Sequence, residues 1–65
     1  MLVRIKAKDI QPLDRFAAGP DLTGLVYEVD RRDGKVWLFW TAPISEGVRK
    51  GQTWFSPSDE MLIVR

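Results

Sequence analysis

Leu25-Val26-Tyr27-Glu28-Val29-Asp30-Arg31-Arg32-Asp33-Gly34-Lys35-Val36-Trp37-Leu38-Phe39-Trp40-Thr41 is a pair of alternating runs joined by Asp-Gly. Asp-Gly between such runs is a strong hairpin signal, because the tight primed turn needs positive φ at both central residues. A two-residue turn pairs Arg32 with Lys35, Arg31 with Val36 and Val29 with Leu38; a four-residue alternative pairs Asp30 with Lys35. Both registers have the same parity and assign the same faces. Only an odd-length loop or a bulge changes that. On this parity Leu25, Tyr27, Val29, Val36, Leu38 and Trp40 form the core face. Val26, Glu28, Asp30, Lys35, Trp37, Phe39 and Thr41 form the other, which mixes charge with two large aromatics and faces outward.

Upstream, Leu2 to Lys8 alternates strictly, with Val3, Ile5 and Ala7 on one face and Arg4, Lys6 and Lys8 on the other. That pattern predicts a half-buried strand. Pro12 breaks it, Arg15 to Ala18 adds a short candidate strand around Phe16, and Gly19-Pro20-Asp21 reads as a turn. Downstream, Thr41 to Gly51 holds Pro43, Gly47 and Gly51 and reads as a long connecting loop. Gln52 to Phe55 is a short strand. Ser56-Pro57-Ser58-Asp59 reads as a capped single turn of 3₁₀ type, and Met61 to Val64 as the closing strand. In that last strand Leu62 and Val64 are assigned to the core over Met61 and Ile63. With Val3, Ile5 and Phe16 they complete the expected interior.

Several of these segments resemble small Src-homology-3-like barrels. Asp9 to Phe16 is similar to the opening of such modules, with Leu13 standing where the family usually has Gly. Gly24 to Asp30 followed by Lys35 to Trp40 is similar to the central hairpin of Tudor, chromo-barrel and KOW modules. Thr53 to Asp59 followed by Met61-Leu62 looks like their aromatic strand, 3₁₀ turn and closing strand. The resemblance implies an all-β, five-stranded antiparallel small barrel with a 3₁₀ turn before the last strand, one domain over residues 1–65. It also implies aromatic-cage recognition of a methylated cation as one form of binding. This fold hosts many functions and fixes none.

Composition narrows the chemistry. The chain has 65 residues with no Cys and no His. A disulfide framework, thiolate or imidazole metal ligation and His-based general catalysis are therefore excluded. Asp59-Glu60 are adjacent on the chain and point apart, and Asp30 to Gly34 lacks the ligand spacing of a calcium loop. Neither a catalytic residue nor a cofactor is assigned, and the chain is expected not to be an enzyme. Ten basic against nine acidic residues leave a net charge of +1, below the basic excess of a dedicated nucleic-acid binder. No stretch has the pattern of a signal peptide or of a membrane span, so a cytoplasmic address is expected. A chain this short that begins with Met reads as a small bacterial or phage protein, or as a fragment of a larger one.

The expected function is non-catalytic binding of a protein partner, or of itself, through Trp37, Phe39, Val26 and Trp54 or Phe55. Exposed aromatic patches mark such surfaces. Coverage of the patch by the 41–51 loop or the N-terminal strand is the competing expectation. The alternative function is nucleic-acid binding, with bases stacked on the same aromatics and phosphate on a basic rim of Arg31, Arg32, Lys35, Arg49 and Lys50.

Overall fold

A computed structural model describes residues 1–19 and 22–64. The chain forms β1 (Leu2–Lys6), a 3₁₀ turn (Ala7–Asp9), β2 (Arg15–Gly19), β3 (Leu22–Arg32), β4 (Lys35–Ile44), β5 (Gly47–Phe55) and β6 (Glu60–Val64). The domain is all-β. Its strands make one sheet in the order β1-β6-β2-β3-β4-β5, and every pairing is antiparallel. There are six strands rather than five, and β1 and β5 end the sheet instead of closing it into a barrel. The candidate strand around Phe16 does form, as β2, and it pairs with β3 on one side and β6 on the other. The turn expected at Gly19-Pro20-Asp21 falls on Pro20 and Asp21, outside the described residues.

The Asp33-Gly34 hairpin forms as expected. Asp33 and Gly34 have φ of 53° and 70°, and Arg32 faces Lys35. The parity of β4 is also as expected, with Val36, Leu38, Trp40 and Ala42 buried. The parity of β3 is not. A bulge lies between Val26 and Glu28, so Val26 faces Trp40 while Val29 still faces Leu38. Tyr27 is the extra residue, and the bulge turns it out to 49% exposure while Val26 goes to 0%. Both backbone groups of Val26 are tied to the preceding turn: its N–H donates to the Asp14 carbonyl (2.9 Å) and its carbonyl accepts from Leu13 N–H (2.7 Å). Those bonds pin the bulge, and at the surface the Tyr27 hydroxyl needs no buried partner.

The connection read as a loop over residues 41–51 is a second hairpin. β4 runs on to Ile44, Ser45-Glu46 turns, and Ile44 faces Gly47 at the start of β5. Pro43 is tolerated because the β3 pairing ends at Thr41, so β4 has a free side beyond it. Gly51 is a strand residue whose missing side chain matters for packing. The Trp40 indole lies on it, and a Cβ there would overlap the ring. Trp40 also meets Phe16 edge-on, with ring centroids 5.9 Å apart and planes at 79°, and its Nε1 donates to Thr53 Oγ1 (3.3 Å).

In β6 the inward residues are Met61 and Ile63, not Leu62 and Val64. Ile63 faces both Val3 and Phe16, and all three are on the inner face. Ala7 and Ile10, both fully buried, plug the end of this core. The 3₁₀ turn lies here rather than at 56–59. Ala7 N–H donates to the Asp59 carbonyl and Lys8 N–H to the Pro57 carbonyl, which docks it on the 56–59 turn. Ser56 does not cap a helix; instead its N–H donates to Asp59 Oδ2 (2.9 Å).

Two substitutions test this packing. Leu13 has a φ of 78° in the Gln11–Asp14 turn and is 77% exposed. A left-handed Leu costs roughly 1–2 kcal/mol, of which Gly returns part as chain entropy. Leu13→Gly is expected to raise unfolding stability by about 0.5–1 kcal/mol in urea titrations; a loss would refute the turn geometry. Gly51→Ala is expected to cost about 1–3 kcal/mol through overpacking against Trp40. A neutral result would mean that Trp40 does not lie on Gly51.

Candidate functional site

The outer face of the sheet carries the candidate site. Alternation along β4 sends Trp37, Phe39 and Thr41 outward, because Val36, Leu38 and Trp40 point in. The β5 register sets Trp54 directly opposite Trp37, Gln52 opposite Phe39 and Lys50 opposite Thr41. On the other flank Asp30 lies opposite Trp37 and Glu28 opposite Phe39. Cross-strand neighbours lie about 5 Å apart, so Trp37, Trp54 and Phe39 form one aromatic area bordered by two carboxylates. Trp54 is 46% exposed. Trp37 and Phe39 are half-buried.

Of the five residues expected in this patch, three are brought together and two are not. Val26 is in the core, displaced there by the bulge, and cannot touch a partner. Phe55 is half-buried on the inner face and packs against the core. Tyr27, assigned to the core from sequence, stands outward instead. It lines a shallow hollow of about 270 Å³ with Phe39, Lys50, Gly51 and Gln52. Neither segment expected as a cover lies over the patch. Residues 41–51 belong to the sheet as parts of β4 and β5, and β1 pairs with β6 at the far edge.

A second groove of about 290 Å³ was not legible in the sequence. Leu25, Thr41, Pro43 and Val48 line it together with Arg15 and Thr23. It opens where β4 leaves β3 beyond Thr41, a separation that only the register reveals.

The basic residues divide into separate groups. Arg32 and Lys35 flank the hairpin tip, whereas Lys50 faces Thr41 six positions along β4, roughly 20 Å away at strand rise. Arg49, next to Lys50, points to the opposite face. Arg32 pairs with Asp30 (3.2 Å). Lys35 Nζ sits 4.5 Å above the Trp54 ring as a cation–π contact. Arg31 acts within the fold. One of its guanidinium nitrogens donates to the Lys8 carbonyl (3.1 Å) and the Ile10 carbonyl (2.6 Å). It thereby ties the hairpin tip to the 3₁₀ turn. These three cations and Lys8 border a hollow of about 350 Å³.

Among the described residues, no group of three or more His, Cys, Asp or Glu is placed to hold a metal ion. No helix among them is long and apolar enough to cross a membrane.

Arg31→Ala is expected to destabilise the domain by about 1–3 kcal/mol, since it leaves two carbonyls without a charge-assisted donor. Arg32→Ala is expected to change stability by less than about 0.5 kcal/mol, its ion pair being exposed. Equal effects in denaturant melts would contradict the assignment of Arg31 as a staple. Comparison with known proteins brings no relative: no family model, curated protein or solved structure matches the chain.

Proposed function

We propose that this chain is a non-catalytic binding module that contacts a protein partner, or a second copy of itself, through the outward aromatic face. The observation that carries the reading is the Trp37–Trp54 pair with Phe39 beside it, on a sheet face that no other strand among the described residues crosses. Large aromatics in one patch give the apolar area and rigid shape that interface centres use. Glu28 and Asp30 on one border and Lys50 on the other supply a polar rim of both signs. The resemblance of the sequence to Src-homology-3-like, Tudor and chromo-barrel modules belongs to this proposal. Three aromatics on one face suit a cation, and the Lys35 ammonium already occupies one side of Trp54.

Nucleic-acid binding is the competing reading. The hollow beside Lys8, Arg32 and Lys35 favours it. The tip cations, however, are engaged within the chain, and Arg49 and Lys50 lie apart from them.

A benzophenone-bearing phenylalanine analogue at position 39 separates the two. Irradiation in a cell extract is expected to yield a discrete protein adduct, identified by mass, that Trp37→Ala reduces at least tenfold with an unchanged circular dichroism spectrum. A single-stranded oligonucleotide is expected to bind weakly. Tight oligonucleotide binding with a steep salt slope and no protein adduct would sink the proposal.

A further inference from the structure

β5 ends the sheet, and its second side has no strand neighbour among the described residues. It spans Gly47–Phe55, nine residues, and contains no proline. An open edge of that length is a template for another strand. β1, at the other edge, is only five residues long. Full self-pairing of β1 would set Arg4, which is paired with Glu60 (3.4 Å), against a second Arg4, and so short an edge leaves few other registers.

Arg49 and Lys50 guard β5 in the same way, but in some registers only. Antiparallel pairing of two copies about a two-fold axis normal to the sheet keeps outer residues on the outer face. Pivoting about Lys50 sets Lys50 against Lys50, a repulsive pair. Pivoting about Gly51 removes the clash but gives the cations only Gln52 and Thr53. Pivoting about Gln52 sets Lys50 opposite Trp54 on the outer face and Arg49 opposite Phe55 on the inner face. Each arrangement occurs twice by symmetry. All four cations of the pair then stand opposite aromatic residues, and the two Gln52 carboxamides meet on the axis, where each can donate and accept.

The chain's own contacts show that this chemistry is accessible. Lys35 already lies 4.5 Å over the Trp54 ring, so this ring accepts an ammonium within the chain itself. Trp54 remains 46% exposed at the edge. Phe55 is half-buried at the same edge, on the inner face with Arg49. Cation–π contacts of this kind strengthen as they lose water.

We propose that two copies of this chain pair along β5 in the antiparallel register centred on Gln52, with Lys50 against Trp54 and Arg49 against Phe55 of the other copy. The pairing makes one sheet of the two domains and extends the outer aromatic face across the junction. It rests on the reading of this chain as a binding module, and names a second copy as the partner.

The test is sedimentation velocity of the full chain across about 1 µM to 1 mM, a range that covers weak and moderate dimers. The wild type is expected to move from the mass of one chain to that of two. Trp54→Lys places like charges opposite each other at both symmetric positions and is expected to weaken the dimer by roughly tenfold or more. Adding Lys50→Glu to that variant creates an opposite-charge pair, and is expected to bring the dimer back to within about threefold of wild type. Far-UV circular dichroism checks that each variant is folded. A wild type that stays at one chain mass throughout, a dimer indifferent to Trp54→Lys, or a double variant no tighter than Trp54→Lys would overturn the pairing. Failure of the pairing is distinguishable from failure of the aromatic-face reading. In the former case the position-39 cross-link still reports a protein, and that protein is foreign.

Discussion

Trp40 is the residue on which the rest of the structure depends. Its indole rests on Gly51 of β5, meets Phe16 of β2 edge-on, and comes close to Gly24 of β3, where Phe16 leaves no room for a side chain. Four strands are thus referenced to one ring. Its seat against Gly51, Phe16 and Thr53 exists only on the inner side, so it fixes the parity of β4. Fixing that parity sends Trp37 and Phe39 to the other side. The core and the candidate site are two consequences of the same alternation. A single sheet has two faces, and the described residues form no second layer to cover both. The inner face is the buried one, and Ala7 and Ile10 join its core. The outer face keeps its aromatics.

The bulge at Tyr27 has a smaller reach but a decisive effect on chemistry. It reconciles two inward residues, Val26 and Val29, that strict alternation would put on opposite sides. The cost is an extra residue with no ladder partner. That residue is a tyrosine, which can remain at a wet surface with its ring beside Phe39 and Gln52 and its hydroxyl in water. Leu25 swings outward with it and becomes part of the Pro43–Val48 groove. One inserted position therefore moves three residues between core and surface.

The hairpin turn and the parity of β4 were legible in the sequence, because Asp33-Gly34 and the alternation of Val36, Leu38 and Trp40 are local signals. Trp37 and Phe39 followed from them, whereas the choice of Trp54 over Phe55 waited for the β5 register. The bulge was not legible: Leu25 and Tyr27 are as apolar as Val26, so pattern alone held no reason to break the alternation. The 41–51 hairpin was hidden by Pro43, Gly47 and Gly51, which read as breakers in isolation. Each has a place in a strand pair once its neighbours are known. Pro43 sits where β4 has lost β3, and Gly51 sits under Trp40. In β6, Met61 and Ile63 differ little from Leu62 and Val64 in apolar character, so only the Val3–Ile63–Phe16 register decides between them. Arg31 is the extreme case. Its partners lie 21 and 23 residues away along the chain, and no local pattern foretells them.

That role of Arg31 bears on how the charge of the whole domain should be read. A cation counts toward nucleic-acid affinity only if it can give its hydrogen bonds to phosphate and release counterions in doing so. Arg31 donates to the carbonyls that end the 3₁₀ turn, at 2.6 Å and 3.1 Å. Moving it to a phosphate would leave those carbonyls unpaired and loosen the plug formed by Ala7 and Ile10. Arg32 would have to leave Asp30, and Lys35 would have to leave the Trp54 ring. Each such move sets binding against internal contacts in a domain with a thin stability margin. Aromatic contact sets up no such conflict. Trp54 and Tyr27 are already about half exposed, and covering them removes apolar surface from water without breaking a bond within the chain. The physical asymmetry between the two surfaces, rather than any excess of one residue type, is what favours an apolar partner.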